Sequence, residues 1–404
     1  MESLALDPPR PKSARAAALL LNIGHAVDHM FLLIFAAAVG TIATEFGYAR
    51  WVDLMPFGVG AFVMFGLGSL PSGRLGDLWG RRRMMLVFFF GIGASALLTA
   101  LAQNAWQLAA TLTLLGVFAS IYHPVGIPML VQTAPNPGAV IGVNGLAGNL
   151  GIAVAALLTG LLIKWLGWRA AFAVPGLVSI ALGIVFALVC PPEPEAPARR
   201  TGARPRPLPP ALLARVFAVM TAAAVTGSLL FNFTTNGNAQ LLAERFRGIL
   251  DDPAMLGALL AGVYAVASLA QVVVGRLIDR YMLKPLYLWI TLAQIPLLAL
   301  AANAQGWWLL AALLGTMIVI FGAIPFTDAM IVRYVDDANR SRVAGVRLTL
   351  SIGISSLAVW LLGPFVKGLG FSALLWTMAL IAACTAAVVT LLPDQRSVEE
   401  ALRQ

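Results

Sequence analysis

The residues with the clearest capacity for chemistry are three histidines and an aspartate that lie inside long apolar stretches. His25, Asp28 and His29 fall within about one helical turn, and His123 lies in a second apolar stretch. An ionisable side chain is costly in hydrocarbon, so such a group in a membrane-spanning segment usually serves function. A histidine beside a carboxylate, with an unperturbed pKa near ~6.5, can take up and release a proton at working pH. These four residues therefore predict a proton-coupling site.

The polar face of the first stretch supports this prediction. At 100° per residue, Asn22, His25 and His29 fall within about 60° of arc, with Asp28 at its border. His25 and His123 each lie roughly 12 Å from the same end of their helices, so they can meet across a central cavity. Two other interpretations stay open. The imidazoles can bond backbone carbonyls or hold helices together, and they can also bind Zn or Cu.

The composition is that of a polytopic membrane protein. Of 404 residues, 60% are hydrophobic and only 11% are charged, and the mean hydropathy is +0.86. A globular chain carries roughly 25% charged residues. Long continuous apolar runs favour helices over the short alternating strands of a barrel. Twelve transmembrane helices are predicted, near residues 17–44, 52–73, 84–102, 106–131, 139–163, 168–190, 212–240, 254–275, 285–303, 307–332, 343–366 and 370–392.

The basic residues predict the orientation of these helices. With the N-terminus inside, 21 of the 27 Lys and Arg residues lie on the inner side. The positive-inside rule then places both termini in the cytoplasm, as in a multi-pass protein of a bacterial inner membrane. No basic patch alternates with stacking aromatics, so no nucleic-acid partner is expected. The expected partners are a small-molecule substrate, protons and the lipid bilayer, and the monomer is the expected functional unit.

The chain contains an internal repeat. Gly73-Arg-Leu-Gly-Asp77 recurs as Gly275-Arg-Leu-Ile-Asp279, 202 residues later, and two further matches follow at an offset of 203. A near-constant offset predicts two six-helix bundles related by a parallel repeat. The predicted organisation is a cytoplasmic tail at 1–16, a bundle at 17–190, a cytoplasmic linker rich in Pro and Arg at 191–211, a second bundle at 212–392 and a cytoplasmic tail at 393–404.

The segment from Gly73 to Arg83 resembles the signature loop of the major facilitator superfamily, and the degenerate copy from Gly275 to Lys284 lies where that family repeats it. The resemblance covers the whole chain and implies a twelve-helix transporter that works by alternating access. Asp77 can accept hydrogen bonds from a neighbouring helix start. Leu78 and Met282 depart from the family pattern, which predicts less symmetric gating. The predicted gating residues of the two copies are Gly73, Asp77, Gly80, Arg81, Gly275 and Asp279.

Shorter motifs resemble one branch of that family. Gly24-His-x-x-Asp28, Tyr122-His-Pro124 and the glycine- and asparagine-rich segment 142–151 are similar to the branch that contains fosmidomycin-resistance-type exporters. This resemblance makes proton-coupled export of a small organic solute the leading prediction. A proton-coupled importer of an organic anion and a divalent-metal permease using the histidines are alternatives. No catalytic motif or nucleotide-binding loop is present, so neither enzymatic activity nor a cofactor is expected.

Further polar residues in the apolar stretches are candidates for the substrate cavity and its gates. Asp328 lies five residues before Arg333, so the two can form an inner gate, although a solvated helix end is an equal alternative. Arg347 can neutralise Asp77 or attract an anionic substrate. The polar segment 232–240 can line the cavity or simply end its helix in water. The predicted cavity residues are Asn22, Tyr122, Asn144, Asn149, Asn232, Thr235, Asn236 and Gln240.

Overall fold

The first half of the chain forms a bundle of six long helices. A computed structural model describes residues 12–49, 51–132, 134–193, 195–199, 209–250, 253–335 and 339–393. Most of the predicted tails, the centre of the predicted linker and Arg50 lie outside these residues. A short helix, Trp51–Leu54, precedes the second long one. The six helices are α1 (Lys12–Glu45), α2 (Met55–Trp79), α3 (Arg81–Ala100), α4 (Ala105–Val131), α5 (Pro137–Leu166) and α6 (Trp168–Val189).

The second half begins with four helices and ends with one helical segment that is too long for a single membrane crossing. Arg340–Thr390 has 51 residues, which at 1.5 Å per residue would extend over twice the ~30 Å of a bilayer core. Gly370 divides it into α11 (340–369) and α12 (371–390), because its φ of 81° is incompatible with helix. The other four are α7 (Pro210–Arg245), α8 (Pro253–Arg280), α9 (Leu283–Asn303) and α10 (Gly306–Tyr334).

The break at Gly370 completes the predicted set of helices. Among the described residues, 11 continuous helices are long and apolar enough to cross a membrane. The break turns the last of these into two crossings, which confirms the prediction of twelve. Gly167, between α5 and α6, has φ 84° and ψ 167°, and Gly370 has φ 81° and ψ 169°. The two halves therefore use the same left-handed glycine at equivalent points of the repeat, where a residue with a Cβ would be strained.

The buried apolar residues form one cluster in the first half and two that lie mainly in the second, and the halves meet chiefly along two pairs of helices. α2 packs against α11, and α5 packs against α8. Small residues allow these contacts: a Cβ added to Gly66 of α2 would lie 2.9 Å from the Gly353 nitrogen of α11. In the second seam, a Cβ on Gly142 would overlap the Gln271 carbonyl oxygen. Glycine thus lets the helix backbones approach closely where the two bundles meet.

Candidate functional site

A local distortion of α4 positions His123. Residues Tyr122–Gly126 form one wide π-type turn inside the helix. Pro124 has no N–H to donate, so the regular α-helical hydrogen-bond ladder is interrupted at this point. The turn leaves Tyr122 fully buried, whereas His123 reaches the central cavity. The wide turn at Tyr122-His-Pro124 therefore places the neighbouring side chains of Tyr122 and His123 in different surroundings.

The three histidines form a compact cluster between α1 and α4. The Nε2 atoms of His29 and His123 are 3.1 Å apart, so one ring donates a proton that the other accepts. The ring centroid of His25 lies 4.5 Å from that of His29 and 4.8 Å from that of His123. Gly148 of α5 makes this possible, because a Cβ there would lie 2.6 Å from a carbon of the His25 ring. The predicted proximity of the histidines is thus present in the structure.

Asp28 lies directly behind the histidine cluster. Its side chain is 0% exposed, and neither of its carboxylate oxygens has a hydrogen-bond donor among the described residues. The nearest cation candidate is His123, whose Nε2 lies 3.8 Å from Oδ2. A buried carboxylate without donors is costly in its charged form. It therefore needs either its own proton or a protonated imidazole beside it, which makes the group suited to proton exchange.

The same cluster has a geometry that metal ions also use. One ligand nitrogen of each histidine lies within 4.8 Å of those of the other two. Zinc bonds to imidazole nitrogen at ~2.0–2.1 Å, so a modest contraction would let three nitrogens share an ion. Proton exchange and metal binding therefore use the same side chains and need a functional test to separate them.

Three predicted cavity residues, Asn22, Tyr122 and Asn144, lie in a hydrogen-bonded network beneath the cluster and do not line the cavity. The Asn144 side-chain nitrogen donates to Asn22 Oδ1 and to the Tyr122 hydroxyl, each at 2.8 Å. The Asn144 carbonyl accepts from His25 Nδ1 at 2.7 Å, and Tyr122 donates to the Leu21 carbonyl at 2.7 Å. These bonds turn the side chains toward α1 and away from the cavity. Asn149 is also buried.

The cavity itself lies between the two bundles and is lined by residues of both. His29 and His123 reach it from the first bundle, and Asn232, Thr235 and Asn236 reach it from α7. Gln240 does not line it, since it lies at the exposed end of α7. Much of the remaining wall is apolar and aromatic, with Leu32, Leu33, Phe62, Phe65, Phe231 and Ile320 among its members.

An ion pair from the second bundle completes the cavity wall. Arg347 Nη1 lies 2.8 Å from Asp328 Oδ1 and donates to Thr327 Oγ1 at 2.7 Å. The expected pair of Asp328 with Arg333 is wrong, because five residues separate two side chains by about 140° around a helix. Arg333 is exposed, whereas Asp328 faces α11. The possibility that Arg347 neutralises Asp77 is likewise replaced by its contact with Asp328.

The predicted gating aspartate of the first copy contacts the start of a helix in the other bundle. Asp77 Oδ2 accepts from the Arg342 backbone N–H at 2.9 Å, in the first turn of α11. Arg81 Nη2 lies 3.5 Å from Asp77 Oδ1, and Arg81 Nε donates to Ser341 Oγ at 3.0 Å. A Cβ on Gly73 would overlap the Ser341 carbonyl oxygen. We refer to the contact between Asp77 and the Arg342 N–H as the first junction.

In the second copy of the motif, an aspartate of the second bundle contacts the start of a helix in the first bundle. Asp279 Oδ1 accepts from the Gly138 N–H at 2.9 Å, and Oδ2 accepts from the Ala139 N–H at 2.8 Å, at the start of α5. This second junction maps onto the first through the repeat, since 279 − 77 = 202 and 342 − 139 = 203. Gly275 lies against Gly138 as Gly73 lies against Ser341. Leu283 takes the place of Arg81, so the second junction has no counterpart of that arginine.

Other residues of the site were not predicted from the sequence. Thr327, Tyr287 and Gln294 line the cavity, and the Tyr287 ring stacks on Phe326 at 4.4 Å between centroids. The helices that carry these side chains have faces of nearly equal polarity. A single polar residue among many apolar ones therefore does not indicate which face lines the cavity. Gly80, by contrast, has a φ of 103° where α2 turns into α3, a conformation that favours glycine.

Twelve apolar helices in two repeated bundles around a partly polar central cavity define a multi-pass membrane fold. The family model described as Major Facilitator Superfamily matches residues 21–249, which is more than half of the 404 residues. The chain belongs to this superfamily.

Curated relatives match parts of the chain. The probable actinorhodin transporter of Streptomyces coelicolor is 29% identical over 49% of this chain and 35% of its own length. The puromycin resistance protein of Streptomyces alboniger is 33% identical over 42% of this chain and 34% of its own length. The 4-hydroxybenzoate transporter of Pseudomonas aeruginosa is 28% identical over 39% of this chain and 37% of its own length. The matches thus span little more than a third of each relative.

Solved structures share the fold over nearly the whole chain. The human organic anion transporter MFSD10 superposes with a TM-score of 0.76 at 14% identity, covering 94% of this chain and 100% of that one. The proton:xylose symporter XylE also gives a TM-score of 0.76 at 14% identity, covering 96% and 98%. At this identity the likeness establishes the fold, which is all-helical with twelve membrane helices in two bundles.

Proposed function

We propose that this protein exports a small organic solute across a bacterial inner membrane in exchange for protons. The observation that carries the proposal is the position of Asp28, which is buried behind His123 while His29 and His123 open onto the central cavity. A proton entering the cavity reaches an imidazole first and the carboxylate next. Substrate and proton thus have adjoining sites within one cavity, which is what coupled exchange requires.

The proposed cycle is alternating access. Both junctions lie at the end of the molecule where the basic residues concentrate, which the positive-inside rule assigns to the cytoplasm. On this assignment both termini are cytoplasmic, and the conformation described here is closed toward the cytoplasm. Breaking the junctions while the outer ends approach each other would open the cavity inward. Gly73, Gly80, Asp77 and Arg81 with Gly275 and Asp279 are the proposed gating residues.

Export is the proposed direction because several relatives carry that role in their names. These include the puromycin resistance protein and the tetracenomycin C resistance and export protein of Streptomyces glaucescens. The 4-hydroxybenzoate transporter and the gallate transporter of Pseudomonas putida keep import as the alternative direction. The narrower resemblance to fosmidomycin-resistance-type exporters stays a prediction.

The test compares two activities of the Asp28→Asn variant: substrate flux driven by a pH gradient, and substrate exchange without a gradient. In vesicles, an imposed pH gradient should drive substrate flux through the wild type and not through the variant, because the amide cannot carry a proton. Exchange of labelled for unlabelled substrate should persist, since binding and rocking need no net proton transfer. Asp53→Asn, which changes an exposed carboxylate outside the cavity, is the matched control and should keep both activities.

The outcomes distinguish the alternatives. Full gradient-driven flux in Asp28→Asn would place the proton site elsewhere. Substrate and protons moving in the same direction through the wild type would identify an importer. Uptake of Zn or Cu that is lost in His25→Ala would identify a metal permease, in which the histidine cluster binds the transported ion.

A further inference from the structure

We propose that Arg347 binds the anionic group of the transported solute, so that the substrate is a small organic anion with an apolar body. The inference rests on the proposed function in one respect: the anion site and the proposed transport use the same central cavity. Arg347 lines that cavity from α11, and the residue is 3% exposed. A buried guanidinium keeps its positive charge under all working conditions and must be balanced by an acceptor.

The hydrogen bonds of Arg347 leave donors for a ligand. Its two hydrogen-bonded contacts with Asp328 and Thr327 both use Nη1. Nε is buried and has no partner among the described residues. A guanidinium has five N–H donors in a fixed planar arrangement that matches a carboxylate at two points. Nη2 also makes no hydrogen bond among the described residues, so the Nε–Nη2 edge of Arg347 is unsatisfied, and an oxygen anion in the cavity that this residue lines is the acceptor that suits it.

Asp328 neutralises the charge of the Arg347 guanidinium when no substrate is present. Its carboxylate accepts from one side of the guanidinium and keeps the buried cation paired in the state described here. A substrate anion would share Arg347 with this carboxylate or replace it. The two acceptors would then compete, since both are negative and both lie within reach of the same guanidinium. Asp328 thus acts as an internal acceptor that competes with the substrate for Arg347.

The rest of the cavity fits an apolar body attached to that anionic group. Phe62, Phe65 and Phe231 offer aromatic surface, and Leu32 and Ile320 add aliphatic surface. Burial of such surface gives affinity without fixing the exact shape of the ligand. The amide nitrogens of Asn232 and Asn236 already donate to neighbouring groups, so their side-chain oxygens are the groups that can accept from a hydroxyl on the ligand. The substrate class that fits is a small carboxylate or similar oxyanion on an aromatic or aliphatic frame.

Other substrate charges fit this cavity less well. An organic cation would lie beside Arg347, and like charges in a partly desolvated space repel strongly. A neutral polyol would leave the unsatisfied Nε without an ionic acceptor. The site for an anion is the same whether the transporter exports or imports, so it does not depend on the direction of transport.

The experiment compares matched acids and amides on the purified full-length protein. Benzoate, 4-hydroxybenzoate and hexanoate are tested against their neutral amides by thermal stabilisation and by calorimetry. The carboxylates should raise the Tm and the amides should not. Arg347→Gln should weaken carboxylate binding by roughly 30-fold or more, because a desolvated charge partner is lost. Arg347→Lys should recover part of it, since a point charge replaces the planar donor pair.

Asp328→Asn should not weaken carboxylate binding as Arg347→Gln does. Removal of the competing carboxylate should keep or tighten binding of the three acids, whereas a merely structural role for the pair predicts weaker binding. Should Arg347→Gln fail to fold because Asp328 is left buried and unpaired, the double variant with Asp328→Asn removes both charges and is tested instead. Equal binding of acids and amides by the wild type would overturn the proposal. So would undiminished acid binding in the Arg347 variants, or no acid binding below ~10 mM.

These results are independent of the proton-coupling test. Binding to detergent-solubilised protein needs no gradient, so loss of the Asp28 proposal would leave the anion site intact. Conversely, a failed anion site would leave gradient-driven flux of a different substrate class unaffected.

Discussion

Asn144 joins three polar side chains near the proton site through its hydrogen bonds. Its amide nitrogen donates to Asn22 and Tyr122, and its carbonyl accepts from His25. Asn144→Ala would keep the carbonyl but remove both side-chain donors, leaving the buried acceptors unsatisfied. We expect the free energy of unfolding to fall by about 1–3 kcal/mol, measured as a lower Tm in detergent.

Asn149 is the matched control for that change. It lies on the same helix and is buried to the same extent, but its amide nitrogen has no partner among the described residues. Asn149→Ala should therefore lower the Tm less than Asn144→Ala. Equal losses in the two variants would mean that packing, and not the hydrogen-bond network, accounts for the cost at Asn144.

For single residues, the sequence predicts which polar side chains lie in membrane-spanning helices. It does not predict which hydrogen-bond or ion-pair partners they have. His25, Asp28, His29 and His123 stand out because each is costly in hydrocarbon. The pairing of Arg347 with Asp328 depends on how α10 and α11 face each other, which no local pattern encodes. A check of helical angle alone would already have excluded Arg333 as the partner of Asp328.

At the scale of helices, the contact between α1 and α5 depends on glycine. A Cβ added to Gly151 would overlap the Ala26 carbonyl oxygen, which is backbone and cannot turn aside. Gly151→Ala should therefore push α1 away from α5, with an expected loss of about 1–3 kcal/mol in the free energy of unfolding. Thermal unfolding of the purified variant measures this loss.

Gly160, nine residues later on α5, provides the comparison. A Cβ there would meet nothing within 4 Å, so Gly160→Ala needs no rearrangement. The higher helix propensity of alanine should leave the Tm unchanged or slightly raised. If Gly160→Ala were as destabilising as Gly151→Ala, close helix approach could not be the reason for the loss.

The helices themselves are largely predictable from the sequence, because apolar length is a strong signal in a membrane protein. The break at Gly370 was expected between the predicted helices 343–366 and 370–392, and the repeat supports it, since the equivalent Gly167 follows the same Lys-x-Leu-Gly pattern. The wide turn in α4 was not predicted. Pro124 signals a disturbance, but the way the helix absorbs it depends on the neighbours that receive Tyr122 and His123.

At the scale of the whole molecule, the two junctions should set the balance between the two orientations of the cavity. Asp77→Asn and Asp279→Asn each remove a charge that complements a helix start, an interaction worth about 0.3–2 kcal/mol. A loss of 1.4 kcal/mol shifts a two-state equilibrium about tenfold. Both variants should therefore populate the state that is closed at the outer end, and transport should fall while folding is retained.

Spin labels measure this shift. Cysteines placed at positions 40 and 257 in a cysteine-free background lie on α1 and α8, and added side chains meet nothing there within 4 Å. The distance between the labels should shorten in the junction variants and stay unchanged in Asp53→Asn. Wild-type distances together with full transport in both junction variants would contradict a gating role for these aspartates.

Both junctions use main-chain N–H groups as donors, and this has a genetic consequence. Substitution of Arg342 by any residue except proline leaves its N–H in place, so only the carboxylate side of each contact is open to point mutation. A selection for suppressors of Asp77→Asn should therefore yield few changes at Arg342. It should instead yield changes in the outer halves of α1, α2, α7 and α8, where weaker packing would disfavour the competing state and restore the balance.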